Sequence, residues 1–492
     1  MKELRIVFNR SKGEINPNIY GHFSEHIGGV FYDGLWVGED SGVENVRGFR
    51  KALVDSFRRI NPPVLRWPGG CFAETYDWRD GIGPREKRPE RVNWWFDQDG
   101  RTESNQVGTH EFIDFCRQVG AEPYFAANMT SVTPLHIRNW VEYCNMDAGR
   151  TTLARERGEN GDIEPFGVRY WGIGNENWGG GGDMSPEMCA REFLRFSTIA
   201  ASAVKEKPKF VICGANGHDI PWTRRLLKEA GDKVSHIWGM SVHYYCGAAG
   251  DTVSFSEKEW YQLLRQADFM RRIVDDHRAA MDEFDPQRKI GLIVDEWGCW
   301  HPGGTGPSKG YNLFEQQSTM RDAVVAALTL NIFNNRCDVV AMANVAQLCN
   351  NLHCLFLAGG EHFVETPTYF VYDLFKGHQG GKQLDIINEC GEIEGESLEQ
   401  ISASASLSAD GTLTLTMANL SCAESAEIRL TGVGAALDGE CEFALLAADD
   451  VHAHNTFENP ACVQPVRRTG ALRDGDLVTI PAGGVLALTV KR

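Results

Sequence analysis

From about residue 18 to about residue 345, the chain alternates short apolar runs with longer amphipathic segments. Each apolar run predicts a buried strand, and each amphipathic segment predicts a helix. Eight such strands with helices between them predict an α/β fold, specifically a (β/α)8 TIM barrel. The predicted strands are Ile19–Phe23, Val64–Trp67, Pro123–Ala127, Val168–Gly174, Phe210–Gly214, Gly239–His243, Leu292–Glu296 and Val339–Asn344. The predicted helices are 47–60, 108–119, 134–148, 186–206, 219–231, 257–281 and 315–334.

A doubly wound parallel sheet is the alternative arrangement of alternating strands and helices. Such a sheet normally carries a glycine-rich phosphate-binding turn near its start. Gly172-Ile-Gly174 lacks the third glycine at the required spacing, so this alternative is disfavoured.

The character of the sequence changes after about residue 380. Predicted strands become short and alternating, and Asp-Gly and Gly-Gly pairs separate them, which predicts a C-terminal antiparallel β-sandwich. The predicted strands are Ser402–Leu407, Thr412–Met417, Ala426–Leu430, Glu442–Leu446 and Leu477–Ile480. Leu4–Phe8 also alternates and has no helix after it, so we expect it to add a strand to the sandwich. The predicted domains are therefore an N-terminal segment (1–17), the barrel (18–378) and the sandwich (379–492).

Charge and cysteine content restrict the possible partners and compartment. The net charge of −18 disfavours nucleic acid or an anionic membrane, and is compatible with a neutral glycan. The N-terminus has no long apolar region typical of a leader, and the chain has no apolar stretch long enough to cross a membrane. The 14 cysteines are scattered among apolar residues, which favours reduced thiols and a cytoplasmic location. Cys349-Asn-Asn-Leu-His-Cys354 has no paired metal motif, so we predict no metal there.

Two glutamates end predicted strands beside tryptophan. Glu176 lies in Tyr170-Trp-Gly-Ile-Gly-Asn-Glu-Asn-Trp178, and Glu296 lies in Ile290-Gly-Leu-Ile-Val-Asp-Glu-Trp297. A double-displacement glycosidase requires one carboxylic acid to protonate the leaving oxygen and one carboxylate to attack the sugar. The structural alternative for either glutamate alone is a surface residue or a neighbour of a helix N-cap. The pair makes the catalytic interpretation the stronger one.

Further polar and aromatic residues are predicted at the same end of the barrel, where the active sites of such barrels lie. They are Glu25, Arg66, Cys71, Asn175, His243, Tyr245, Trp297 and Gln347. Arg66 beside a carboxylate would keep it ionised, and Tyr245 could hydrogen-bond the nucleophile. Each residue alone also has a structural explanation: Arg66 as a buried salt bridge and His243 as a core histidine with satisfied hydrogen bonds.

These motifs give the chain a family resemblance. It resembles the α-L-arabinofuranosidases of glycoside hydrolase family 51 over nearly its whole length. The motifs are Ile19-Tyr-Gly-His-Phe-Ser-Glu-His26, Arg66-Trp-Pro-Gly-Gly-Cys-Phe72, Trp78-Arg-Asp-Gly-Ile-Gly-Pro84, Gly174-Asn-Glu-Asn-Trp178, His243-Tyr-Tyr245, Asp295-Glu-Trp297 and Asn344-Val-Ala-Gln347. Pro-Gly-Gly-Cys-Phe together with Asp-Gly-Ile-Gly-Pro is the most specific part. The Asn-Glu and Glu positions are shared by a wider clan.

The resemblance implies roles for individual residues. Glu176 is expected to be the general acid/base of a retaining mechanism and Glu296 its nucleophile. Glu25, Cys71, Asn175 and Gln347 are expected to contact the hydroxyls of the arabinofuranose. Cys71 stands where many members carry asparagine, and a thiol makes weaker hydrogen bonds than an amide. Trp94 or Trp95 is expected on the leaving-group side.

The implied activity is removal of terminal non-reducing α-L-arabinofuranosyl residues from arabinoxylan, arabinan or their oligosaccharides, without metal or organic cofactor. A homo-oligomer, specifically a hexamer, is also implied. We expect the two carboxyl groups to lie roughly 5–5.5 Å apart, as in retaining enzymes. Two alternatives remain: an endoglucanase or β-xylosidase on the same barrel, and a non-catalytic carbohydrate-binding protein.

Overall fold

The computed structural model describes residues 2–306 and 313–492. Eight parallel strands close into a barrel in which sequence neighbours are spatial neighbours, in the order β2-β3-β4-β5-β6-β7-β8-β9 and back to β2. After the N-terminal strand β1 (Lys2–Val7), they are β2 (Gly21–Phe23), β3 (Val64–Trp67), β4 (Glu122–Ala127), β5 (Tyr170–Ile173), β6 (Lys209–Asn216), β7 (Gly239–Gly247), β8 (Gly291–Trp300) and β9 (Val340–Ala346). All eight predicted barrel strands are confirmed. The doubly wound alternative is wrong, because the sheet closes on itself.

The barrel strands are mostly buried because helices cover the outside of a closed parallel sheet. Val64–Trp67 and Tyr170–Ile173, for example, are buried along their whole length. Parallel pairing aligns Arg66 with Tyr124 and places Tyr124 opposite Tyr170. The carboxyl ends of β3, β4 and β5 are therefore brought to the same edge of the sheet.

The helices correspond closely to the predicted segments. They are Lys51–Arg59, Phe96–Asp99, Thr109–Val119, Pro134–Asn145, Thr152–Glu159, Pro186–Ala201, Ile220–Ala230, Glu257–Asp282, Met320–Asn335 and Pro367–Phe375. Ser185 caps one of them, since its side chain accepts a hydrogen bond from the Met188 N–H, and proline follows at the first helical position. Phe96–Asp99, Thr152–Glu159 and Pro367–Phe375 were not predicted.

The C-terminal strands and β1 form one nine-stranded sheet, in the order β15-β14-β17-β12-β11-β10-β1-β13-β16. The C-terminal members are β10 (Lys382–Asn388), β11 (Ile401–Leu407), β12 (Leu413–Asn419), β13 (Ala426–Val433), β14 (Gly439–Leu446), β15 (Val466–Leu472), β16 (Leu477–Ile480) and β17 (Val485–Lys491). Most neighbours are antiparallel, but β1 runs parallel to β13, with Lys2 opposite Ile428. The expectation of purely antiparallel pairing is therefore wrong at this one pair.

The nine-stranded sheet encloses a core of its own. Leu4 and Ile6 of β1 pack with buried residues of the C-terminal strands, including Leu415, Ile428 and Leu488. Alternation along β1 and β13 places these side chains on the same face, as the period of two in a strand requires.

Two compact units divide the chain. The first comprises Met1–Tyr20, Tyr245–Val274 and Trp297–Arg492, and contains the nine-stranded sheet. The second comprises Gly21–Tyr244 and Asp275–Glu296. Among the described residues, no helix combines the length and apolarity needed to span a membrane. All 14 cysteines lie within the described ranges, and each is a free thiol.

Candidate active site

Both candidate glutamates belong to the second unit, one just beyond a barrel strand and the other in the second half of a barrel strand. Glu176 follows β5 after a two-residue link, and Glu296 lies within the last part of β8. One carboxylate oxygen of each lies within 4.8 Å of the other, and both lie within that distance of a ring nitrogen of His243. The two carboxyl groups are therefore close enough to act on one bond.

Glu296 is buried and ion-paired. Its Oε1 accepts a hydrogen bond from Nη1 of Arg66 at 2.7 Å, and both side chains are almost fully buried. Burial raises the pKa of Glu296 above its ordinary value, whereas His243 and Arg66 lower it. Two positive groups thus counteract the effect of burial on the pKa of Glu296, whereas the sequence indicated only Arg66 for this role.

Glu176 is held in a different setting. Its backbone has φ of +44°, in the left-handed region that a non-glycine residue rarely adopts. Oε1 is 2.8 Å from Nδ1 of His243, and Oε2 accepts a weak hydrogen bond from Sγ of Cys71 at 3.7 Å. The Glu176 side chain is 20% exposed, against 7% for Glu296, so Glu176 is the glutamate that water reaches more easily.

A second buried carboxylate fixes the backbone around Glu176. Oε1 of Glu74 accepts hydrogen bonds from the Asn175 N–H at 2.6 Å and from Nδ2 of Asn177 at 3.2 Å. Its Oε2 accepts from the N–H groups of Met129 and Thr130 at 2.8 and 2.9 Å. Glu74 therefore ties the end of β5 to the loop after β4.

Glu25 forms a third carboxyl group beside the pair. Its Oε1 accepts hydrogen bonds from the Phe72 N–H at 3.0 Å and from Nε1 of Trp95 at 3.3 Å. Burial, with a further contribution from the charge of Glu296, raises the pKa of Glu25 to about 8. A Cβ at Gly70 would lie 2.9 Å from Oε1 of Glu296 and 3.2 Å from Oε2 of Glu25, so the close approach requires glycine.

Cys71 lies among these acids. Its Sγ is 3.8 Å from Nδ2 of Asn175, whose Oδ1 accepts a hydrogen bond from Nη2 of Arg66 at 2.6 Å. Burial, followed by the charge of Glu176, raises the pKa of Cys71. The group at this position is therefore a neutral thiol.

Two groups of side chains within the described ranges have the spacing of metal ligands. They are Cys299, His301 and Asp322 in the first unit, and Glu176, His243 and Glu296 in the second. In the first group, Nε2 of His301 lies 2.9 Å from Oδ1 of Asp322, and the other Asp322 oxygen accepts from the backbone and hydroxyl of Thr319. Hydrogen bonds and ion pairs account for the close spacing of the side chains in both groups. That the protein needs no metal stays a prediction.

Comparison with known proteins identifies the family. The α-L-arabinofuranosidase 1 domain model matches residues 56–247, and the α-L-arabinofuranosidase C-terminal domain model matches residues 295–482. An intracellular exo-α-L-arabinofuranosidase from Bacteroides ovatus is 35% identical over 100% of this chain and 96% of its own length.

The chain belongs to the α-L-arabinofuranosidases of glycoside hydrolase family 51.

Solved structures of family members agree with this assignment. A family 51 arabinofuranosidase from Xanthomonas axonopodis pv. citri superposes with a TM-score of 0.93 at 34% identity, covering 100% of both chains. The α-L-arabinofuranosidase of Thermotoga maritima, solved as an arabinose complex, gives a TM-score of 0.86 at 29% identity, again over 100% of both chains. The predicted family and fold class are confirmed.

The second unit brings together seven of the ten predicted site residues. They are Glu25, Arg66, Cys71, Asn175, Glu176, His243 and Glu296. The other three belong to the first unit. Tyr245 is half-buried and meets the ring of Trp300 edge-on at 5.1 Å, Trp297 is buried 6.0 Å from the His353 ring, and Gln347 is buried beyond the end of β9. Their roles stay predictions.

Sequence reasoning missed three functional candidates. Asp295 is buried 3.0 Å from Nε2 of His243, and its Oδ2 accepts a hydrogen bond from the Tyr124 hydroxyl at 2.8 Å. Asp295 directly precedes Glu296, and this adjacency was the available signal. Tyr124 is an ordinary aromatic residue of a buried strand, and Glu74 lies in the short 3-10 helix Cys71–Thr75. Nothing in their sequence context distinguishes them.

Proposed function

We propose that this protein is a retaining exo-α-L-arabinofuranosidase in which Glu176 is the general acid/base and Glu296 the nucleophile. The observation that carries this proposal is the approach of the two carboxylates to within 4.8 Å in different surroundings. This spacing fits the short separation of a retaining pair, and a gap of roughly 9 Å would fit inversion. The buried glutamate held by Arg66 suits attack, and the more exposed one suits exchange of protons with water.

The first step forms a glycosyl-enzyme. A carboxylate oxygen of Glu296 attacks the anomeric carbon, and the bond from that carbon to the leaving oxygen breaks with its electron pair on oxygen. Glu176 gives its proton to this oxygen. The sugar is now an ester of Glu296, and Glu176 carries the negative charge.

The second step restores the enzyme. Glu176 removes a proton from a water molecule, and the water oxygen attacks the anomeric carbon from the face that the leaving group occupied. The ester bond breaks, and its electron pair returns to Glu296. Two inversions at the same carbon give net retention of the anomeric configuration.

The remaining site residues are assigned to sugar recognition. Glu25, Cys71 and Asn175 line the same part of the second unit and offer one acid, one thiol and one amide to sugar hydroxyls. Arg66 orients both Asn175 and Glu296. We also assign substrate contacts to His243, Tyr245, Trp297 and Gln347. Trp95 is placed beside Glu25 by its hydrogen bond, and we assign it to the leaving-group side.

The proposal extends to the substrate, the location and the assembly of the protein. The substrate class is arabinose-containing oligosaccharides or polysaccharides, with arabinoxylan and arabinan as the polymers. A cytoplasmic location is supported by the free thiols and by the similarity to the intracellular exo-α-L-arabinofuranosidase of Bacteroides ovatus. We also propose a homo-oligomer, specifically a hexamer, and domain boundaries near residues 17 and 378. The enzyme is expected to need no cofactor.

Release of p-nitrophenol from aryl glycosides tests the activity. We expect strong preference for the α-L-arabinofuranoside over the β-D-xylopyranoside and β-D-glucopyranoside. Activity on either pyranoside alone would favour the β-xylosidase or endoglucanase alternative. No turnover of any substrate by folded protein would favour the non-catalytic carbohydrate-binding alternative.

Two substitutions test the roles of the glutamates. Glu296→Gln should abolish turnover on every substrate, because no nucleophile remains. Glu176→Ala should lower kcat/KM on substrates with poor leaving groups by about 10²–10⁴, the usual contribution of general acid–base catalysis. The loss should be smaller with a dinitrophenyl leaving group, and azide should restore turnover of the trapped intermediate. Full activity of Glu296→Gln would contradict the assignment.

A further inference from the structure

His243 lies between the two catalytic carboxyl groups, and the following inference rests on the proposed function. Nδ1 of its ring is 2.8 Å from Oε1 of Glu176 and 3.5 Å from Oε2 of Glu296. The opposite ring nitrogen, Nε2, is 3.0 Å from Oδ1 of Asp295. One ring N–H is therefore within reach of both glutamates, while the other faces an aspartate that the proposed mechanism leaves unused.

We propose that His243 is a positively charged counterion shared by Glu176 and Glu296, and that Asp295 is the positioning residue that keeps its imidazole protonated and in place. In this role the imidazolium pairs with whichever glutamate is ionised at each stage of the reaction. His243 would then act through charge as well as, or instead of, contact with the sugar.

The charges of the free enzyme balance under this assignment. Arg66 and His243 supply two positive charges, and Asp295 and Glu296 supply two negative charges. Glu176 carries its catalytic proton and is neutral. Glu25 is neutral below its raised pKa of about 8. A buried cluster with balanced charge avoids the cost of an unpaired ion.

The same balance holds in the glycosyl-enzyme. Esterification removes the charge of Glu296, and donation of its proton leaves Glu176 negative. Arg66 hydrogen-bonds Oε1 of Glu296 and the amide of Asn175, whereas Nδ1 of His243 already lies 2.8 Å from Glu176. His243 is therefore the positive group placed to follow the negative charge from one glutamate to the other.

Asp295 is needed because a neutral His243 would destabilise the ionised Glu176 instead of stabilising it. If Nε2 kept the proton facing Asp295, Nδ1 would present a lone pair to the ionised oxygen of Glu176. Two acceptors at this distance repel each other, so the second step would be hindered. Asp295 favours the doubly protonated ring, and the Tyr124 hydroxyl at 2.8 Å and Nε of Arg66 at 3.6 Å hold Asp295 in turn.

The groups around His243 agree on the sign of its charge. Burial lowers the pKa of His243, but the charges of Glu296 and Asp295 raise it. The result is a pKa well above the ordinary value of histidine. The titratable and charged groups facing it or its partners are Glu25 after β2, Arg66 on β3, Cys71 after β3, Tyr124 on β4, Glu176 after β5, Cys213 on β6, and Asp295 and Glu296 on β8. Four of the eight are carboxyl groups.

Asp295→Asn tests the inference through the pH dependence of kcat. A dinitrophenyl arabinofuranoside makes the second step rate-limiting, so the wild-type kcat should rise with pH and reach a plateau. The asparagine keeps the shape but removes the charge, which lowers the pKa of His243 towards the ordinary value of about 6.5. Protonated His243 is then lost as pH rises, so kcat of the variant should fall about tenfold or more between pH 5.5 and 8.

Tyr124→Phe is the matched control, because it removes a neutral hydroxyl from Asp295 and leaves the charge. For Tyr124→Phe we expect kcat to change by at most a few-fold, and we expect no fall in kcat between pH 5.5 and 8. A uniform loss at every pH in Asp295→Asn, or a profile identical to wild type, would overturn the proposal. Wild-type hydrolysis and an inactive Glu296→Gln, measured alongside, separate this result from failure of the proposed function.

A measurement on the wild-type protein covers the case in which Asp295→Asn does not fold. Nitrogen-15 NMR of labelled histidine reports the protonation of both ring nitrogens, and loss of one of the 14 histidine signals in His243→Gln assigns the residue. Both nitrogens of His243 should stay protonated to pH 8 in the free enzyme and in a 2-fluoroarabinofuranosyl-enzyme. A neutral ring at pH 7 in either state would overturn the proposal.

Discussion

At the scale of single residues, the protonation of Glu25 predicts how activity depends on pH in the alkaline range. The pKa of Glu25 is raised to about 8, so its carboxyl is neutral and can donate a hydrogen bond at neutral pH. As pH rises through this value, Glu25 ionises beside Glu296 and the donor is lost. We expect kcat/KM to fall above about pH 8, and Glu25→Gln to lose that limb because an amide does not titrate. An unchanged alkaline limb in Glu25→Gln would contradict this assignment.

Cys71 gives a second test at this scale. A thiol reacts as the thiolate, and burial together with neighbouring carboxyl groups raises the pKa of Cys71. Iodoacetamide at pH 7.5 should therefore label Cys71 about 100-fold or more slowly than the exposed Cys462 in the same chain. Mass spectrometry of the two peptides over time measures the ratio. Equal labelling rates would mean that Cys71 is ionised or far more accessible than its surroundings indicate.

The sequence could predict the role of a residue only where its neighbours in the chain carried a signal. Glu176 and Glu296 were found because each ends an apolar run with an aromatic neighbour. Tyr124 could not be found, because its role depends on a hydrogen bond from its hydroxyl to Asp295, which is 171 positions away in the chain. Barrel closure creates such pairs, and no local pattern encodes them.

At the scale of elements, Glu74 is the connection between two barrel strands near the acid/base. It accepts four hydrogen bonds from the ends of β4 and β5, and glutamine would turn an NH₂ group towards two of the donors. Leaving buried donors unpaired costs about 1–3 kcal/mol each. Glu74→Gln should therefore lower the free energy of unfolding by about 2–6 kcal/mol and reduce kcat, because Glu176 loses its backbone support.

Urea unfolding followed by circular dichroism measures this loss. Glu86→Gln is the control, since Glu86 is an exposed glutamate in the loop after the same strand, β3, and should change stability by less than about 0.5 kcal/mol. Equal stabilities for both variants would show that the Glu74 bonds do not hold the strands together.

Element prediction succeeded in the barrel and was incomplete in the nine-stranded sheet. Barrel strands are buried on both faces and read as apolar runs. Val466–Leu472 is a polar edge strand, exposed at six of its seven residues, and carries little apolar signal. Lys382–Asn388 and Val485–Lys491 were also missed. The parallel pairing of β1 with β13 joins segments that are far apart in the chain, and no local sequence pattern encodes such a pairing.

At the scale of the whole molecule, the family resemblance leads us to expect an assembly of six chains. Light scattering coupled to size-exclusion chromatography should give about six times the mass of one chain. The high negative charge makes the assembly easier to form in salt, because like charges are screened, so the measurement should be repeated at low and high ionic strength. A monomer mass under both conditions would contradict the expected hexamer.

For the molecule as a whole, we propose that Glu176 and Glu296 act together by double displacement. Proton NMR of products formed from an aryl α-L-arabinofuranoside in aqueous methanol tests it directly, because a methyl glycoside does not mutarotate. We expect methyl α-L-arabinofuranoside as the first methyl glycoside formed, with no product from Glu296→Gln. Formation of the β-anomer would mean a single displacement, and would contradict the assignment of Glu296 as nucleophile.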